Sequence, residues 1–118
     1  MILPDPYYSE NGITIYHGDC REILPHLEPV DLVLTDPPYG VTANVWDETP
    51  AVFWVFDKVM IPIVCTSQNP FSAELITRYR CKFRWSDVWI KSQPTNILNS
   101  KVMPLRKHED VLVFSIGR

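Results

Sequence analysis

The residues best equipped for chemistry in this chain are consecutive: Asp36, Pro37, Pro38 and Tyr39. Asp36 is an ionised acceptor. The two prolines contribute carbonyl oxygens but no N–H groups, and their fixed φ holds those carbonyls in one direction. Tyr39 adds a flat π face. Such a set matches a planar ring bearing an exocyclic amine. Its two N–H groups can donate to the Asp36 carboxylate and the Pro37 carbonyl while the ring stacks on Tyr39. An amine of this kind is a poor nucleophile because its lone pair is delocalised into the ring. Two acceptors that draw its hydrogens out of plane favour a tetrahedral, nucleophilic nitrogen. The competing reading is structural, a proline turn with Asp36 as a helix cap.

The elements around the tetrapeptide decide between these readings. Val30 to Thr35 is a nearly continuous apolar run ended by two prolines, which predicts a strand buried on both faces of a parallel sheet. The tetrapeptide then lies at the carboxyl end of that strand, where open α/β sheets bind their ligands. Upstream, Ile13 to His17 predicts a strand after Asn11-Gly12. Asp19 follows as an N-cap, with Glu22 completing a capping-box pattern, and Ile23, Leu24 and Leu27 share one helical face. Pro25 keeps that helix short. Downstream, Thr49 and Pro50 open the clearest helix, with Val52, Phe53, Phe56, Val59 and Met60 on its apolar side. Ile61 to Thr66 predicts a strand, and Asn69-Pro70 opens a third helix carrying Phe71, Leu75, Ile76 and Tyr79. Phe83 to Lys91 predicts a longer strand. Ser92 to Glu109 has no periodicity and is read as a long functional connection. Val111 to Ile116 predicts the last strand. The alternation implies an α/β fold with a mainly parallel sheet and flanking helices.

Composition narrows the function classes. With 118 residues the chain is one domain, residues 1–118, and 46% hydrophobic with 21% charged residues is ordinary for a soluble globular protein. The formal charge of −3 argues against a nonspecific nucleic-acid coat. No apolar run reaches the roughly 18 residues of a membrane span, and no basic region followed by an apolar stretch marks a signal peptide, so a cytoplasmic location is expected. Cys20, Cys65 and Cys81 are read as reduced, buried small hydrophobes, and no CxxC or HxxxH pair predicts a metal. The charge is polarised. Residues 1–77 hold two bases and 11 acids, whereas residues 78–108 hold eight bases and one acid. The basic segment is either a solvated face or a nucleic-acid surface.

The run IYHGDCREILPHLEPVDLVLTDPPYG resembles the opening of the amino-DNA methyltransferases that place the catalytic motif before the cofactor loop, the permuted beta-type arrangement. Trp46-Asp47 resembles the family's WD step, Trp89-Ile90-Lys91 its W-x-K strand, and His108 to Phe114 its H-E-x-x-L-x-F segment. The resemblance implies a Rossmann-like, S-adenosylmethionine-dependent methyltransferase fold. It implies that Asp36, Pro37, Pro38 and Tyr39 clamp an adenine flipped out of DNA, with direct transfer from the sulfonium to the amine. Asp19, Cys20 and Asp36 would lie at the cofactor, Asp19 and the Cys20 backbone near its adenine ring, although Asp19 also reads as a simple cap. His108 and Glu109 would shape the rim of the site. Lys91, Lys101, Arg106 and Lys107 would contact DNA phosphates, with Gln93 to Ser100 along the DNA.

The resemblance also implies something the chain does not contain. The family's glycine-rich loop lets the backbone approach the methionine part of the cofactor. Only Gly12, Gly18, Gly40 and Gly117 are present, and no G-x-G. The expectation is an incomplete methyltransferase domain lacking the glycine-loop strand. It would leave a gap or exposed edge between the strand leading to Asp19 and the strand leading to Asp36, with self-association or a second chain completing the sheet. Two other functions remain open: a DNA- or partner-binding module without turnover, and an RNA or protein-glutamine methyltransferase with a similar clamp.

Overall fold

A computed structural model describes residues 2–40 and 42–117. The chain begins with a hairpin of β1 (Tyr8–Glu10) and β2 (Ile13–Ile15), antiparallel with Glu10 opposite Ile13. Asn11 and Gly12 both take positive φ, 52° and 79°. These are the conformations a two-residue hairpin turn requires and Asn-Gly supplies at least cost. Helix α1 (Cys20–Ile23) runs into a 3-10 turn at Leu24–His26. Strand β3 (Val33–Thr35), helix α2 (Pro50–Lys58) and strand β4 (Ile63–Ser67) form a parallel β–α–β unit. Helix α3 (Phe71–Arg78) leads to the long strand β5 (Phe83–Thr95), and a 3-10 turn at Ile97–Asn99 precedes β6 (Arg106–Phe114). The Asn69–Pro70 peptide is cis.

The larger sheet has the order β3-β4-β6-β5. β3 pairs with β4 in parallel, but β6 inserts antiparallel between β4 and β5. The fold is therefore mixed α/β with a mixed four-stranded sheet, not a mainly parallel one. β5 and β6 are joined by a short connection and so must run antiparallel. Only an α/β crossover such as α2 sets strands in parallel.

Alternation along β4 and β6 builds the core. Ile63, Cys65 and Ser67 on β4 face Phe114, Leu112 and Asp110 on β6. Against this face lie Val52 and Phe56 of α2, Phe71 and Leu75 of α3, and Tyr79. Phe56 is the hub, stacked on Tyr79 at 4.8 Å and edge-on to Phe114 at 4.9 Å. Truncating a fully buried ring of this kind costs about 3–5 kcal/mol. Cys65 belongs to the core, where burial pushes its thiol up to about 12. Cys81 does not; it is exposed.

Several expectations give way. β3 is short and is an edge strand among the described residues, with β4 on one side only. Leu34 is 75% exposed, so β3 is not buried on both faces. The strand leading towards Asp19 sits in a separate two-stranded sheet and not beside β3. The capping box is half-made: Asp19 accepts from the Arg21 N–H at 2.9 Å, and the Glu22 side chain takes no part. Thr49 precedes α2 without a side-chain cap, and Met60 is exposed beyond that helix. The expected long connection after Lys91 is largely strand, because β5 continues to Thr95 and β6 begins at Arg106. Between the pairs Ile90↔His108 and Thr95↔Arg106, residues 91–94 stand opposite residue 107. This bulge contains Pro94, which has no N–H for the ladder.

The molecule is extended, 51 × 34 × 27 Å with a radius of gyration of 16.3 Å. A compact domain of this length has about 13.5 Å. Its accessible surface is 8868 Å² for a mass of 13.7 kDa, where a compact monomer shows about 6,600 Å². Among the described residues, no helix is long and apolar enough to cross a membrane.

Candidate active site

β3 delivers Asp36 to the carboxyl end of the larger sheet, and β4 delivers Thr66 beside it. Thr66 Oγ1 donates to Asp36 Oδ1 at 2.5 Å. The Tyr39 hydroxyl lies 3.0 Å from Thr66 Oγ1, 3.2 Å from Asp36 Oδ1 and 3.4 Å from Glu109 Oε2. Tyr39 has one proton and Thr66 has one. With Thr66 donating to Asp36, the shortest route for the Tyr39 proton is to Thr66, giving a relay from Tyr39 through Thr66 to the carboxylate. Asp36 Oδ1 is thereby fixed, while Oδ2 meets no donor among the described residues. The Tyr39 ring stacks on Phe71 at 5.6 Å, which ties the tetrapeptide to the core. Burial, then the charges of Asp36 and Glu109, push the Tyr39 phenol well above its ordinary range, so it remains a neutral donor.

The turn after Tyr39 is closed by Asp47. Its buried carboxylate accepts from Gly40 N at 2.8 Å and Thr42 N at 2.6 Å. Gly40 has φ +68°, and a Cβ there would sit 3.1 Å from Thr49 Cγ2, so both conformation and space require glycine. Glu109, on β6, is also buried and highly connected. It pairs with Lys91 of β5, accepts from Gln68 Nε2 at 3.1 Å and faces Tyr39. A buried carboxylate is tolerated because all these groups meet it.

Two cavities share one wall. The first, of about 380 Å³, is lined by Asp36, Pro37, Pro38 and Tyr39 together with Trp46 and Glu109. The second, of about 330 Å³, has Asp36, Pro37 and Pro38 on one side and Cys20, Val33, Val52 and Phe56 among its other walls. The first is edged by acceptors and aromatic rings, the second is mainly apolar.

The remaining expected site residues divide. Cys20 lines the second cavity, and burial with the Asp19 charge raises its thiol pKa. Asp19 does not line it. The Arg21 guanidinium grips both its carboxylate oxygens, at 2.9 and 3.1 Å from Nε and 2.5 Å from Nη2, and holds its pKa at about 2. Asp19 thus acts as a simple helix cap, through its bond from the Arg21 N–H, without the Glu22 half of the box. Among the DNA-facing candidates, Lys91 is engaged with Glu109, and Arg106 donates to Gln68 Oε1 at 2.6 Å and to the Asn69 carbonyl at 3.3 Å. Lys101 and Lys107 are exposed. Among the described residues, no group of His, Cys, Asp or Glu is arranged to hold a metal.

Thr66 was not marked by the sequence, since it is 30 residues from Asp36 and follows no motif. Gln68 was missed for the same reason. A comparison with protein-family models gives no match for this chain, and a comparison with curated proteins gives none either.

Proposed function

We propose that this chain is the catalytic-motif portion of a DNA adenine methyltransferase that modifies the exocyclic amine. One observation carries the reading: the Asp36-Pro37-Pro38 segment is a wall between an aromatic, acceptor-edged cavity and an apolar one. A base in the first cavity and a methyl donor in the second would meet across it. Among the described residues no donor meets Asp36 Oδ2 to compete with an amine, and the Thr66 bond keeps the carboxylate in place before the amine arrives. Tyr39 and Trp46 offer ring faces of the size a nucleobase stacks on. The sheet is compatible with a doubly wound, Rossmann-like parent: β3, β4 and β5 run in one direction and only β6, inserted between β4 and β5, opposes them, and mixed sheets are common among such folds.

S-adenosylmethionine, when bound, supplies an electrophilic methyl group. The second cavity fits only part of it. Its apolar lining suits an adenine ring and a thioether. Its walls include no cationic side chain and no glycine loop for the charged amino-acid end. On this reading a strand carrying such a loop would pair with the edge of β3 that has no partner among the described residues. The cofactor site is accordingly completed by another segment or chain, and the residues here prepare the amine rather than hold the whole donor.

The test is methyl transfer to adenine-containing DNA by the complemented protein, comparing wild type with Asp36→Ala. Activity falling below detection with the circular dichroism spectrum unchanged is expected. Methylation within threefold of wild type refutes the assignment.

A further inference from the structure

Beyond Tyr39 the surface continues into two recesses that share Gln68, Asn69 and Arg106. One, of about 190 Å³, adds His108, Glu109 and Asp110. The other, of about 400 Å³, adds Asn96 and Asn99 from the connection between β5 and β6. Glu109 is common to the smaller recess and the Tyr39 cavity, and Thr42 to the larger recess and that cavity. Each recess therefore borders the Tyr39 cavity through a shared residue.

Arg106 is the centre of this surface. Its Nη1 is anchored by the Gln68 side chain and the Asn69 carbonyl. No acceptor among the described residues meets Nε or Nη2, the pair that forms the side-on fork of a guanidinium. Fixing one corner of the group removes rotamer freedom that binding would otherwise cost. The lining selects what the fork can meet. The carboxylates of Glu109 and Asp110 border the smaller recess, and a phosphate placed there would face like charge. Amide groups that both donate and accept surround the larger one, as suits a neutral base edge.

On the reading that the Tyr39 cavity takes adenine, we infer that this cleft receives the neighbouring purine, with the Nε and Nη2 of Arg106 donating to O6 and N7 of guanine. Arg106 then selects sequence beside the target rather than contacting a phosphate. A side-on guanidinium spans two acceptors on the guanine edge, the pairing that arginine makes most often with bases. Asn96 contributes to the shape of the cleft: it sits at φ +71°, and its side chain is held by Asn99 Nδ2 at 2.7 Å.

The experiment measures anisotropy with a labelled single-stranded thymine heptanucleotide containing a central adenine flanked by guanines. Replacing both guanines by 7-deazaguanine, which lacks the N7 acceptor, should weaken binding about fivefold or more. Inosine, which keeps O6 and N7, should leave it unchanged. In Arg106→Gln the 7-deazaguanine effect should vanish. The inference is overturned if 7-deazaguanine binds as guanine does, or if Arg106→Gln weakens every probe alike and keeps the analogue ratio, as a phosphate contact would. The analogue series uses the unaltered chain, so it stands even if Arg106→Gln fails to fold. Asp36→Ala separates the parent reading. If replacing the central adenine by thymine changes nothing in wild type or in Asp36→Ala while the guanine effect persists, the adenine site is wrong and the cleft stands. If no probe binds, both fall.

Discussion

Thr66→Val probes the relay on which the site's geometry depends. The substitution keeps the β-branched shape on β4 and removes one hydroxyl. In the native arrangement Thr66 is the close donor to Asp36 Oδ1 at 2.5 Å, and Tyr39 stands 3.2 Å from the same oxygen. A hydrogen bond to a carboxylate contributes about 1.5–3 kcal/mol. Here two effects reduce the loss. Asp36 is exposed, so water replaces part of the bond, and the Tyr39 proton is free to turn to Asp36 once Thr66 is gone. A cost of about 1 kcal/mol follows for Thr66→Val, and a similar cost for Tyr39→Phe, where Thr66 keeps its bond to Asp36. The double variant leaves Oδ1 with no protein donor, so the losses reinforce each other, with a coupling of about 1 kcal/mol. Over 118 residues, 1 kcal/mol is roughly 4 °C in Tm. The single variants should melt about 4 °C low and the double about 12 °C low. Urea unfolding gives the same cycle as free energies, and repeating it in an Asp36→Asn background should reduce the coupling. Additivity within about 0.3 kcal/mol would refute the relay.

Other outcomes follow from charge, titration and exposed surface. DNA binding should fall steeply with salt through counterion release, and Lys101→Glu with Lys107→Glu should weaken it for all sequences alike; binding insensitive to salt returns the basic segment to a solvated face. Burial, with the Asp57 hydrogen bond next, pushes the Tyr79 phenol up to about 12. A raised phenol contributes stability that is fully present below pH ~10 and is lost as pH rises towards 12. Tyr79→Phe, which forfeits bonds to the Phe53 carbonyl and Asp57, should therefore be less stable than wild type at pH 7 and lose that deficit by pH 12 in denaturant titrations, and a constant difference would count against it. The surface of 8868 Å² exceeds the compact expectation by about 2,300 Å², enough for a standard protein interface. Light scattering should show self-association, or a shift to monodispersity when a completing chain is added, and a monodisperse monomer with full cofactor affinity would contradict this.

What the sequence reveals here follows the range of the forces involved. The tetrapeptide, α2 and the strand expected over Ile61 to Thr66 rest on local spacing, and the structure has a helix at Pro50–Lys58 and a strand at Ile63–Ser67. Asn11-Gly12 also carries its hairpin signal locally, but the strand expected over Ile13 to His17 has no visible partner in the sequence because Tyr8 to Glu10 lacks strand-like alternation. The VDLVLT run was apolar enough for a doubly buried strand, yet burial depends on neighbours, and β3 has only β4. Thr66 reaches Asp36 across 30 residues of chain, so no spacing rule finds it, whereas Glu109, 70 residues from Tyr39, is marked only through its resemblance-bearing segment. Asp47 was legible as part of a motif, but its task of holding Gly40 and Thr42 is a matter of turn geometry.

The β1–β2 hairpin has a dynamic consequence. Every side chain of Tyr8–Glu10 and Ile13–Ile15 is exposed, and among the described residues the strands pair only with each other. A lone two-stranded hairpin is marginal in water, so its amides should exchange with solvent by local opening at far lower free energy than those of β4 and β6. This hairpin lies at the start of the path to Asp19 and Cys20. Any ligand that contacts the hairpin itself meets a population only part of which is ready. Its apparent affinity is reduced by that fraction, and a partner that pins the hairpin raises the affinity without touching the ligand.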